Sequence, residues 1–226
     1  GYDWSGGGRI VCNTIVRDAE MWAHIRPHFI VAADAGYHFG HTAHARAFRR
    51  DLRERLSETP TGFVYRALFH PYVMNEFAEF ADRLFPVPVH ADVRLDTSLL
   101  ERYFLVRQDN VLPVLLKVAF TLSDDVRLWG FDGRGPKDRL FWKNSSRHSY
   151  PELMEGLRSA YPAFFSDNVP VDDGERYVKK AFGEKFERLL SESESRGKSV
   201  SLLHESYTSS LQARYRPTLI PPTCRG

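Results

Sequence analysis

Apolar residues along the chain follow two rhythms. Short unbroken runs rich in β-branched residues mark buried strands. Longer stretches with apolar residues every three or four positions mark helices. "IVCNTIV" (10–16) is the first unbroken run and reads as a strand or a strand plus turn. "RDAEMWAHI" follows, with Asp18 placed to cap a short helix. "HFIVAADAG" predicts a second buried strand ending at Asp34. "HARAFRRDLRERLSE" is a basic amphipathic helix with Phe48, Leu52 and Leu56 on one face, and Asp51 and Arg55 spaced to pair on the other. "GFVYRALFH" is a third strand, and "PYVMNEFAEFADRLF" a helix opened by Pro71. "VPVHADVRLD", interrupted by proline, is an edge strand or a loop.

The alternation continues. Residues 110–122 are the most apolar helix, with Pro113 in its first turn, and 126–131 are the fourth strong strand. Residues 151–160 read as helical, 174–196 as a longer charged helix, and "KSVSLLHES" as a last strand and turn before a loose tail, "RYRPTLIPPTCRG". Strands alternating with helices predict an α/β fold: a Rossmann-like, mostly parallel sheet with helices on both faces and a C-terminal helical extension. At 226 residues the chain suffices for one large domain. Residues 1–165 would form the nucleotide-sugar-binding core, and 166–226 would add a helix, the last strand and the tail to the same domain.

Composition narrows this only a little. Hydrophobic residues make up 42% and charged residues 27%, as in ordinary globular proteins. The net charge of +2, from 31 basic and 29 acidic residues, gives no global electrostatic reason for a nucleic-acid partner, and none is expected. No apolar run approaches the ~20 residues of a membrane-spanning helix, and no signal peptide is visible. A cytoplasmic location follows as the expectation, with room for peripheral association with the inner face of a membrane. Cys12 and Cys224 lie at opposite ends, without metal-ligand spacing or a disulfide framework, which suits a reducing compartment. Starting at Gly1, the chain is expected to be a piece of a larger parent whose other domains would be partners.

In parallel α/β sheets, ligands bind at the carboxyl ends of strands where the strand order reverses. The first run supplies Asn13 and Thr14, Asp34 ends the second, Asp132 the fourth, and Asn110 opens the apolar helix. An amide both donates and accepts, and a carboxylate accepts from a diol, so this set suits a nucleoside. The same residue types also satisfy turn backbone. Downstream of Gly130, Asp132 and Gly133 come Arg134, Lys137, Arg139, Lys143 and Arg147. They either stabilise a phosphoryl leaving group or form a solvated basic loop. His148 has a near-neutral side chain suited to a general base, or it precedes Pro151 as a helix-capping residue.

Other constellations are weaker. His38, His41 and His44 rotate off a common helical face, with no cysteine or paired carboxylate beside them, so no metal site is expected. There is no Asp-X-Asp motif. Gly6–Gly8 fits neither a phosphate loop nor a dinucleotide fingerprint, and Ser145, Ser146 and Ser149 lack a nucleophile-elbow context.

Taken in order, "VCNTIV", "AADAGYHF", "LWGFDG" and "GKSVSLLHES" resemble the small bacterial sialyltransferases that use CMP-sialic acid, and the wider clan that includes archaeal pterin-pyrophosphokinase-like proteins. Those families open with a Gly-Asn-Gly-Pro-Ser-like turn, continue with a strand ending in Asn, and later show a strand ending Gly-(Ile/Phe)-Asp. Asn13, Asp34 and Asp132 stand at the corresponding positions. The Gly-Pro-Ser is missing here. Arg134, Lys137 and Arg139 stand where that family has donor-binding tyrosines.

The resemblance implies a glycosyltransferase of surface-polysaccharide biosynthesis. It would move an acidic sugar of the sialic acid or Kdo type from a CMP-activated donor to a glycan acceptor, with no metal and no cofactor. Under it, His148 and Asp34 are catalytic, and Asn13, Thr14, Asn110, Gly130, Asp132, Gly133, Arg134 and Lys143 hold the donor. The alternatives are a pyrophosphokinase-like enzyme on the same fold, which needs ATP and magnesium, and a non-catalytic glycan- or nucleotide-binding module.

Overall fold

A computed structural model of the chain describes residues 6–87, 111–133, 135, 150–165 and 182–219. The unbroken apolar runs become strands. β1 (Ile10–Cys12), β2 (Phe29–Ala32), β3 (Gly62–Arg66) and β4 (Leu84–Val87) form a four-stranded parallel sheet in that order, in which β2 and β3 have neighbours on both sides. β5 (Asp125–Leu128) and β6 (Ser199–Leu202) form a second parallel pair, from Asp125 opposite Ser199 to Leu128 opposite Leu202. The chain has the α/β, Rossmann-like architecture that its pattern predicts.

The alternation of side chains along each strand divides the core in two. Ile30, Ala32, Phe63, Tyr65 and Leu84 face one cluster, and Val31, Ala33, Val64 and Val87 face the other. The first cluster is closed by three helices: α1 (Ala19–Ile25) through Trp22, α2 (Ala43–Glu58) through Phe48, Leu52 and Leu56, and α3 (His70–Glu76) through Val73. The second is closed by α4 (Val111–Leu122) and by Leu189 and Leu190 of α6 (Glu184–Ser195). Val126, Leu128, Val200 and Leu202 of the β5–β6 pair pack into that same second cluster. Helices therefore cover both faces of the four-stranded sheet.

Local chemistry sets the helix boundaries. The Asp18 carboxylate accepts the Met21 N–H at 2.9 Å, and the Thr42 hydroxyl accepts the Ala45 N–H at 3.2 Å, so both starts are capped. α3 stops sooner than its apolar period suggests. Phe77, at φ −128° and ψ 33°, breaks it, a 3-10 segment (Ala78–Arg83) follows, and Leu84 and Phe85 enter the edge strand. Asp51 and Arg55 do not pair with each other. The Asp51 carboxylate accepts from the Tyr150 hydroxyl at 2.6 Å and meets Arg50 at 2.8 Å, while Arg55 pairs with Glu54 and Glu58. Tyr150 begins the segment that leads into α5 (Met154–Ala160), which packs against α2.

The winding sets which strand ends adjoin. β1 to β4 advance in one direction with α1, α2 and α3 on one face, then α4 lies on the opposite face against β1 and β2. The carboxyl ends of the adjacent parallel strands β1 and β2 lie side by side, and in parallel α/β sheets ligands bind at such strand ends.

Candidate functional site

Asn13 and Thr14 leave the carboxyl end of β1 directly, and Asp34 stands two residues beyond the end of β2, the adjacent parallel strand. The structure thus brings together three of the residues singled out from sequence. Asn13 holds φ +56°, a left-handed conformation that non-glycine residues rarely take and asparagine tolerates best. It opens a 3-10 turn (Asn13–Arg17), so the apolar Ile15 and Val16 belong to that turn and not to a longer strand. The Asn13 side-chain oxygen is buried and meets no hydrogen-bond donor among the described residues.

Asp34 is partly buried and shapes its neighbours. The Cys12 thiol is pushed up to about 12, first by burial and then by the negative charge of Asp34. That thiol is a packing group and not a nucleophile. The Asp34 N–H donates to Nδ1 of His38 at 3.1 Å, and an Asp34 carboxylate oxygen lies 4.0 Å from the same nitrogen. His38 sits in the π-helical turn Ala35–Phe39, with its ring 4.4 Å from that of Phe48. Burial pulls its pKa down to about 3, with His44 a second cause.

The three histidines of this segment do not gather. His38 and His44 are buried, His44 places Nδ1 3.2 Å from the Tyr37 carbonyl, and His41 is exposed. Among the described residues no group of three or more His, Cys, Asp or Glu could hold a metal ion.

Gly130, Asp132 and Gly133 follow β5, in the second parallel pair. The loop after β6 clasps them. His204 Nε2 accepts the Gly130 N–H at 2.8 Å and the Phe131 N–H at 3.1 Å. Its Nδ1 lies 2.7 Å from the Glu205 carbonyl and 3.3 Å from an Asp132 carboxylate oxygen. The Tyr207 N–H donates to the Asp132 carbonyl at 2.7 Å, and the Ser206 hydroxyl to the Phe131 carbonyl at 2.7 Å. Gly133, at φ +73°, lies where a Cβ would stand 2.8 Å from the backbone nitrogen of Thr208, so glycine is demanded twice. Asn110, Arg134, Lys143 and His148 lie outside the described residues.

Several residues here escape a reading of sequence alone. His204 is separated from the residues it holds by more than seventy positions, and no local pattern signals it. Arg66, buried at the carboxyl end of β3, and the Tyr65 hydroxyl, 2.8 Å from Nδ1 of His70, add polar groups to the same rim of the sheet. Lys117 is fully buried in α4, a helix read simply as apolar. Arg66 could have been suspected as a charge ending a buried strand, and Lys117 as the lone charge of its helix. No family model, curated protein or solved structure matches the chain.

Proposed function

We propose that the chain is a metal-independent glycosyltransferase that binds the nucleoside of a CMP-activated acidic sugar at the carboxyl ends of β1 and β2. The observation that carries the proposal is Asn13, held in a left-handed conformation with its amide oxygen buried and lacking a donor among the described residues, at the carboxyl end of β1 beside β2 and Asp34. A buried acceptor without a partner is costly, and a cytosine amine or a ribose hydroxyl would satisfy it. Asp34 suits the ribose diol or a proton in transfer. His38 is an unsuitable base, since it is buried and its Nδ1 is occupied by the Asp34 N–H. His148 keeps the role of general base, and Arg134 and Lys143 that of phosphate partners, on the sequence pattern alone. The choice of CMP and of an acidic sugar comes from the family resemblance.

Thermal shift with CMP, with ATP plus magnesium, and with neither tests the proposal. Stabilisation by CMP without a divalent cation is expected. Stabilisation only by ATP with magnesium would replace it with the pyrophosphokinase alternative. CMP binding without any sugar transfer would leave a binding module.

A further inference from the structure

We propose that Trp129 and Asp132, both in contact with the His204 ring, form a subsite for a neutral pyranose, the acceptor sugar of the transfer. Trp129 leaves β5 with 41% of its surface exposed, whereas Trp22 is buried in the core at 1%. The Trp129 and His204 rings meet edge to face at 5.7 Å, and Nδ1 of that imidazole lies 3.3 Å from an Asp132 carboxylate oxygen. An indole and a carboxylate thus both meet one imidazole ring.

A carboxylate on an exposed loop usually moves freely. Asp132 is 57% exposed, yet its backbone carbonyl, its carboxylate and the preceding Phe131 are bonded to the loop after β6, and Gly133 packs closely against Thr208. Since Nε2 of His204 accepts two N–H groups, its proton sits on Nδ1, facing the Glu205 carbonyl and Asp132. The clasp seats Phe131 against the core and leaves the Asp132 carboxylate at the surface in a fixed place. That placement suits recognition, where ordering the site before binding lowers the entropy cost.

The chemistry matches a pyranose. One face of the sugar ring is a patch of C–H groups that packs on indole, and its rim carries hydroxyls that donate to a carboxylate. Among the described residues, the side chains of the two loops that carry formal charge are Asp132 and Glu205, both acidic. Beside these two carboxylates, the hydroxyls of a neutral sugar are better partners than a sugar carboxylate. Sugar binding here is independent of the transferase proposal; only the assignment as acceptor rests on it.

Isothermal titration of the full chain tests the subsite with lactose, maltotriose and N,N′-diacetylchitobiose as neutral probes, N-acetylneuraminic acid as the anionic probe, and CMP in a parallel titration. At least one neutral saccharide should bind, more tightly than the anionic probe. Trp129→Ala should weaken that binding tenfold or more, Trp129→Phe should restore most of it, and Asp132→Asn should weaken it several-fold. CMP affinity should be unchanged in Trp129→Ala. Equal saccharide affinity in wild type and Trp129→Ala, preference for the anionic probe, or no saccharide binding by a chain that binds CMP would each overturn the subsite. Trp129-dependent saccharide binding by a chain that ignores CMP would uphold the subsite and remove the transferase proposal.

Discussion

Acidification should destabilise the protein through His38 before it acts on the carboxylates. The imidazole is 1% exposed, its ring packs on Phe48, and its Nδ1 accepts the Asp34 N–H at 3.1 Å, so a proton added there breaks a buried hydrogen bond. Burial lowers its pKa from 6.5 to about 3, and the Asp34 carboxylate 4.0 Å away does not offset this. Below pH 6.5 the unfolded chain takes up a proton that the folded chain refuses until about pH 3. Stability is therefore complete above 6.5 and drains as the pH falls through that window. At about 1.4 kcal/mol per pH unit, His38 alone removes about 2 kcal/mol between pH 7 and pH 5. His44, lowered first by burial, adds to the same trend. Glu187, held down to about 2 chiefly by its hydrogen bond from Arg214, loses its contribution only below its ordinary 4.5. With a urea slope of about 2.5 kcal/mol per molar, the unfolding midpoint should fall by about 0.8 M between pH 7 and pH 5. His38→Asn keeps an acceptor for the Asp34 N–H but cannot titrate. It should be less stable at pH 7, yet lose about 2 kcal/mol less than wild type on acidification. An equal acid loss in both proteins would refute the assignment.

Other substitutions probe separate parts of the account. Tyr150→Phe removes the 2.6 Å hydrogen bond to the buried Asp51 carboxylate and should cost about 1.5–3 kcal/mol in urea unfolding, with CMP affinity unchanged. Gly62→Ala places a Cβ 2.8 Å from the Phe29 and Phe85 rings on the neighbouring strands, and should lower stability by about 1–3 kcal/mol. Gly133→Ala combines a left-handed backbone with a Cβ 2.8 Å from Thr208 N. It should cost at least about 1 kcal/mol and weaken saccharide binding in the same titration used for Trp129.

What sequence pattern could foretell follows from its range. Phe29–Ala32 and Gly62–Arg66 are continuous apolar runs because both of their faces are covered, and such runs announce buried parallel strands. The Asp18 cap was legible because capping is local. Boundaries were harder. Trp129, Gly130 and Phe131 read as strand, yet β5 ends at Leu128 and Gly130 turns the chain away at φ +81°. Phe77 breaks α3 without a glycine or proline to signal it. Partners distant in sequence were invisible: the Tyr150 hydroxyl claims Asp51 across 99 positions, and His204 reaches Gly130 across 74. Of the candidate site, the strand-end positions of Asn13, Thr14 and Asp34 could be picked from pattern, because short unbroken apolar runs mark where parallel strands end. The left-handed strain at Asn13 and the clasp around Asp132 depend on packing that no local window contains.

The most direct test of the nucleotide site is a crystal structure of the chain grown with CMP and no divalent cation, beside one of Asn13→Gly under the same conditions. Glycine accepts φ +56° without strain, so that variant removes the amide and spares the backbone. The account predicts cytidine at the carboxyl ends of β1 and β2 in the wild-type crystal, with a donor on the Asn13 oxygen and the Asp34 carboxylate within hydrogen-bond reach. It predicts weak or absent nucleotide density in the variant. CMP bound elsewhere on the chain, or bound identically when the Asn13 amide is gone, would contradict it.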